Sequence, residues 1–180
     1  MYQNKEKQTI YMYGDSLTFN CQWNQFTNDY IFSGHSKNGI KSYELLKKIN
    51  NQKEQHDKAF IMIGINDILN NIDVNDIFNN YIQIIDKLKK KNLTPVIQTT
   101  LYITNNPYQI KKNKINIQVE NLNNLLKNYC TLNSIIFIDL NTILSLNKEM
   151  NKEYSSDGIH LTQDGYKLWY NHIYKYFLLD

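Results

Sequence analysis

What this sequence lacks narrows it first. Only two cysteines occur, Cys21 and Cys130, far apart and in no metal-ligand spacing such as C-x-x-C. Two free thiols in a reducing compartment are the expectation. No apolar stretch approaches membrane-spanning length. The opening MYQNKEKQTI has no apolar core of the kind a signal peptide carries, so a cytoplasmic protein without membrane insertion is expected. An excess of one charge is also missing: 20 basic residues face 17 acidic ones, a formal net of +3. The densest basic runs, Lys87–Lys91 and Lys111–Lys114, read as solvated faces, the first at the end of an expected helix where cations suit the dipole. A nucleic-acid partner would call for a concentrated basic face. No internal repeat, low-complexity linker or composition break divides the chain. Its 180 residues, 42% of them hydrophobic, suit one domain spanning 1–180.

What is present is an alternation of strand and helix. Thr9–Tyr13 is a short β-prone run that stops at Gly14, and Tyr30–Ser33 is a weaker one. Ser42–Ile49 reads as a helix with apolar Tyr43, Leu45, Leu46 and Ile49. Ala59–Ile63 is apolar throughout until Gly64, as a strand covered on both faces requires. Asp73 is a good N-cap with Asp76 in the first turn, and Ile77, Tyr81, Ile84, Ile85 and Leu88 follow at helical spacing towards Lys91–Asn92. Thr94–Ile103 is the next expected strand, with Pro95 at its tolerant start. A polar loop, Asn105–Lys114, contains Pro107 and Tyr108, and Ile115, Val119, Leu122 and Leu126 then mark a helix. Ile135–Ile138 is the last strand, ending at Asp139. Thr162 caps a final helix whose stripe of Tyr166, Trp169, Ile173, Tyr176 and Phe177 reads as core. Such alternation implies a parallel sheet covered on both sides, and right-handed crossovers make it a three-layer α/β/α sandwich.

Ligands of such sheets bind at the carboxyl ends of the strands. Gly14-Asp15-Ser16-Leu17 follows the first strand, Gly64-Ile65-Asn66-Asp67 follows the third, and Asp157-Gly158-Ile159-His160 lies in the loop before the final helix. Each has a plainer role: a turn serine, a helix cap, a structural histidine with a turn-forming aspartate. Together they fit one chemistry. A serine hydroxyl needs a base to become a nucleophile, histidine is that base near neutral pH, and an orienting carboxylate completes the set. Asp157 and His160, three residues apart, can supply the last two, and Asn66 an amide N–H for an oxyanion. Cys21, close to Ser16 in sequence, is a candidate for lining the same pocket.

The three stretches resemble the SGNH hydrolase superfamily, the GDSL esterases and lipases. GDSL (Gly14–Leu17), GIND (Gly64–Asp67) and DGIH (Asp157–His160) are similar to its blocks I, III and V, in order, and the resemblance runs from the first strand to the final helix. GIKSYELL (Gly39–Leu46) is similar to block II, whose glycine N–H joins the oxyanion hole; Gly34 in SGHS competes for that place, and Gly39 is preferred because a helix follows it at the right distance. The glycine usual a few residues after GDSL is replaced near Asn20. The resemblance implies a flavodoxin-like fold of about five parallel strands and a catalytic trio of Ser16, His160 and Asp157. It also implies oxyanion donors from the Ser16 and Gly39 backbone and the Asn66 side chain, with no metal or organic cofactor.

The reading is therefore a serine esterase acting through an acyl-enzyme on a small-molecule ester. No long apolar lid is evident, which favours a short acyl group, acetyl above all, on a carbohydrate or other polar alcohol. A lysophospholipase or thioesterase, or an O-acyltransferase, would use the same site. A non-catalytic carbohydrate-binding module is the alternative of another class. Trp23, His35, Tyr102, Tyr108 and Tyr154 fall in expected loops, where aromatics can stack on a sugar ring, though 14 tyrosines make chance placement common.

Overall fold

Side chains alternate between the two faces of a strand, and this chain fills both faces with apolar residues. In the computed structural model, which describes residues 7–49, 57–105 and 111–178, five strands form a parallel sheet in the order β2-β1-β3-β4-β5. They are β1 (Thr9–Gly14), β2 (Ile31–Ser33), β3 (Lys58–Met62), β4 (Thr94–Gln98) and β5 (Ile136–Ile138). In β3, Ala59 and Ile61 enter one hydrophobic cluster while Phe60 and Met62 enter the other. In β4, Ile97 and Val96 divide in the same way.

The first cluster is closed by α2 (Ser42–Lys48), α3 (Ile65–Leu69), α4 (Val74–Lys90) and α5 (Lys112–Leu132). The second is closed by the short α1 (Ser16–Phe19) and α6 (Asn141–Leu144), and by α7 (Gln163–Ile173). The result is the expected α/β/α sandwich with a flavodoxin-like strand order. Asp73 caps α4 by accepting from the Asn75 N–H, and Thr162 caps α7 by accepting from the Gly165 N–H. Of the aromatic stripe, Tyr166, Trp169, Ile173 and Phe177 are buried and Tyr176 packs against them half-buried. A small hairpin, β6 (Ser145–Leu146) and β7 (Glu149–Met150), was not evident in the sequence because its strands are two residues long. No helix of the described residues is long and apolar enough to cross a membrane.

One strand is shorter than its composition suggests. Thr94–Ile103 is apolar and β-prone, yet β4 stops at Gln98. The Thr99 N–H still donates to the Ile138 carbonyl of β5 at 3.0 Å, but from Thr100 on the backbone finds side-chain partners instead of a neighbouring strand. Asn123 of α5 accepts from the Thr100 N–H and donates to the Thr100 carbonyl, both at 2.9 Å. Asn116 treats Ile103 in the same way, at 2.9 and 2.8 Å. Two buried amides thus satisfy the segment as a strand would. Pro107 and Tyr108 of the following loop lie outside the described residues.

In this strand order the chain reverses direction of winding between β1 and β3, the position where ligands of doubly wound sheets bind. Ser16 follows β1 and Asn66 follows β3.

Candidate active site

Ser16 is held at the start of α1 by its neighbour. Asp15 is the N-cap and accepts from the Leu17 N–H at 3.0 Å, turning the chain sharply at the end of β1. Ser16 is almost wholly buried. Its Oγ lies 2.9 Å from His160 Nε2.

His160 stands on a loop that folds on itself. Asp157 Oδ1 accepts from the backbone N–H groups of Ile159 (2.9 Å) and His160 (2.7 Å), and Oδ2 faces His160 Nδ1 at 2.6 Å. Ser155 closes the same loop: its hydroxyl accepts from the Gly158 N–H (2.9 Å) and donates to the His160 carbonyl (2.7 Å). The Thr104 N–H donates to the Gly158 carbonyl at 2.9 Å, tying the loop to the segment after β4. An ionised carboxylate only accepts, so Nδ1 carries the proton; in the neutral ring Nε2 is then the acceptor facing the Ser16 hydroxyl. Burial works against the Asp157 charge, but the His160 side chain and the two backbone N–H groups outweigh it and hold the carboxyl below its ordinary range.

Asn66 lies in the first turn of α3, and its Nδ2 donates to the Ile40 carbonyl at 3.1 Å, one residue beyond Gly39. One amide hydrogen thus anchors the Gly39 loop. The two glycine candidates differ in surroundings. Gly34 has φ +114° and a Cβ there would press to 2.5 Å against the Met12 backbone, so close packing on β1 accounts for it. Gly39 has φ +72° and a Cβ there would meet nothing within 4 Å.

Two buried carboxylates underlie the site. Asp67, fully buried, accepts from the Ser42 N–H (2.9 and 3.1 Å) and hydroxyl (2.6 Å), clamping α3 to the start of α2. Burial pushes its pKa up, against the pull of the Ser42 hydrogen bonds. Asp15 is buried as deeply, and its pKa is pushed up to about 7 by burial, the Asp67 charge adding to the rise and the Leu17 N–H and His160 opposing it.

Some sequence candidates fall elsewhere. Cys21 is buried and lines a cavity of about 640 Å³ with Met12, Trp23 and Phe32, a cavity that Ser16 does not line. Burial pushes its thiol well above the ordinary range. Trp23 is core: its ring meets Trp169 edge-on at 5.1 Å and its Nε1 donates to the Thr18 carbonyl at 3.2 Å. Tyr154 packs half-buried against the same cluster. Tyr102 is half-buried and packs against the opposite cluster. His35 is half-buried on the loop before Gly39. Ser155, Asp67 and the depth of Asp15 were not singled out from the sequence. Ser155 carried a faint signal, a serine two residues before Asp-Gly in a turn-rich stretch. Asp67 closes the GIND stretch, but its clamp on Ser42 could not be read there, because that partner is 25 residues away.

Residues 12–168 match the GDSL-like lipase/acylhydrolase family. The N-acylneuraminate cytidylyltransferase of Streptococcus agalactiae serotype V is 26% identical over 162 residues, covering 89% of this chain and 36% of that protein. The chain thus spans about a third (36%) of the length of the curated relatives it matches. A GDSL-like lipase from Bacteroides thetaiotaomicron superposes with a TM-score of 0.81 at 20% identity, over 95% of this chain and 87% of that one. A carbohydrate acetylesterase from Sinorhizobium meliloti does so with a TM-score of 0.75 at 14% identity, over 94% and 98%. At such identities the structural likeness speaks for the fold alone.

Proposed function

The chain belongs to the GDSL-like lipase/acylhydrolase family, and from that premise we propose that Ser16, His160 and Asp157 are nucleophile, base and orienting carboxylate of a serine esterase that removes a short acyl group from a sugar hydroxyl. The observation that carries the reading is the unbroken chain of contacts from Asp157 Oδ2 through the imidazole to Ser16 Oγ, 2.6 and 2.9 Å.

In this mechanism Nε2 takes the Ser16 proton as Oγ attacks the ester carbonyl, and Asp157 stabilises the imidazolium that forms. The carbonyl oxygen becomes an oxyanion, met by the backbone N–H groups of Ser16 and Gly39 and by Asn66 Nδ2. The Ser16 N–H is free for this because the first helical N–H groups have no partner within the helix. His160 then protonates the leaving alcohol. Water, deprotonated by the same nitrogen, attacks the acyl-enzyme and restores Ser16.

The substrate class rests on two supports. The sequence shows no long apolar lid to house an acyl chain. The curated relatives are named for an activity on N-acylneuraminate, a sugar acid, and this chain corresponds to part of them. The test is hydrolysis of p-nitrophenyl esters from acetyl to palmitoyl, beside Ser16→Ala. Activity that falls steeply with chain length and drops at least about 10³-fold in the variant is expected. Activity rising with chain length would point to a lipase or thioesterase. Full activity in folded Ser16→Ala would remove Ser16 from the nucleophile role.

A further inference from the structure

The loop that carries Gly39 is fastened to both halves of the candidate site. The Lys37 N–H donates to the Gly14 carbonyl (3.3 Å), and the Gly14 N–H donates to the His35 carbonyl (3.2 Å). Asn66 holds Ile40 from the other side. The segment 35–41, HSKNGIK, therefore borders the site between the ends of β1 and β3, with Lys37, Asn38 and Gly39 exposed.

Its charge is of one sign. His35, Lys37 and Lys41 lie on the loop, and Lys48 stands at the end of α2. Burial first, then the Lys48 and Lys37 charges, hold the His35 imidazole below its ordinary range, so His35 is neutral near pH 7 and the positive charge is that of the lysines. Among the described residues, Lys37, Lys41 and Lys48 make no ion pair with a carboxylate. The ion pairs of the described residues lie elsewhere, at Lys112–Glu149, Lys148–Glu120 and His160–Asp157. Glu44 is engaged by the Lys41 backbone N–H at 2.9 Å. Asp67 feels the Lys41 charge but is buried under Ser42, and Asp15 is buried and pushed up to about 7. In a chain whose total charge is nearly balanced, this is a local positive rim beside the oxyanion glycine.

We propose that Lys37, backed by Lys41, forms an anion subsite on the Gly39 loop that selects acyl-sugars bearing a carboxylate close to the scissile ester. The inference rests on the esterase reading above. An exposed ammonium can be approached without desolvating a buried charge, so the subsite adds discrimination in binding, not in chemistry. A lysine is a point charge on a flexible stem and tolerates sugars acylated at more than one hydroxyl.

The test compares KM for an O-acetylated N-acylneuraminate and for the same sugar with its carboxylate converted to a primary carboxamide. Hydrolysis of p-nitrophenyl acetate by wild type and Ser16→Ala runs alongside. The carboxylate form is expected to show a KM about 5- to 10-fold lower, the range of an exposed to charge-assisted contact. That preference should shrink in high salt, fall towards one in Lys37→Ala and further in Lys37→Ala/Lys41→Ala, and persist in Lys37→Arg. Equal KM values in the wild type would overturn the subsite. So would a preference that survives both substitutions in folded protein. If Ser16-dependent turnover of p-nitrophenyl acetate is present in either case, the esterase reading stands and only the subsite falls. If that turnover is absent, both fall.

Discussion

Asp15 is the residue whose environment departs furthest from what its place in a GDSL motif suggests. Buried next to Ser16, its carboxyl is pushed up from 3.8 to about 7, chiefly by burial. An acid whose pKa is higher in the folded state stabilises the fold only while protonated. Its contribution is whole below about 4 and is lost as pH rises towards about 7. Asp15→Asn keeps an oxygen for the Leu17 N–H and cannot ionise. Its Tm relative to wild type is expected to improve between about pH 5 and about pH 8; a difference constant across that range would mean that Asp15 does not titrate there. At the same scale, Asn66→Ala removes the proposed oxyanion donor and is expected to lower kcat about 10²-fold or more with little change in KM. A raised KM at unchanged kcat would assign Asn66 to binding alone. The types of these residues were legible in the sequence, because the chemistry admits few substitutes. Their burial was not, because it depends on what α2, α3 and α7 lay over them.

Elements position the site through contacts that cross large sequence distances. Ser155 holds both ends of the Asp157–His160 loop, and Ser155→Ala leaves a buried Gly158 N–H without a partner. A loss of about 1–3 kcal/mol is expected, with a fall in kcat as the imidazole loses its fixed aim. Urea unfolding and steady-state kinetics read the two effects, and an unchanged kcat would show that the Asp157 hydrogen bonds alone fix the ring. Asp67 clamps the start of α2, and with it the loop that ends at Gly39. Periodicity located α2 and α4 to within a residue or two at both ends and α7 at its capped start, since each presents an apolar stripe and two carry a capping side chain; α5 was marked by its stripe without its ends. It overran β4, because Leu101 and Ile103 are buried and apolar whether or not their backbone is in a ladder. The amides of Asn116, Asn123 and Asn141, which take up those backbone groups, decide that.

For the whole molecule, the face opposite α4 and α5 is rich in rings. Trp169 is fully buried, meets Trp23 and Tyr166, and donates through Nε1 to Gln98 Oε1 at 2.7 Å. Trp169→Ala removes that volume and leaves the Gln98 oxygen without its donor. A cost of about 3–5 kcal/mol is expected, read as a lower urea midpoint at unchanged slope. An effect below about 1 kcal/mol would mean that the aromatic layer closes around the gap.

The sequence by itself determined the alternation of strand and helix, the three polar stretches at the carboxyl ends, and the SGNH resemblance that the family match bears out. These are local properties: side-chain periodicity follows backbone geometry, and each motif is a few adjacent residues. Only the tertiary structure decided that Cys21 and Trp23 face the core, that Gly34 is a packing glycine while Gly39 is open, and that Ser16 Oγ meets His160 Nε2 across 144 residues. Those facts depend on which strand lies beside which. The order β2-β1-β3-β4-β5 is set by how the whole sheet buries both of its faces, which no single stretch of the chain contains.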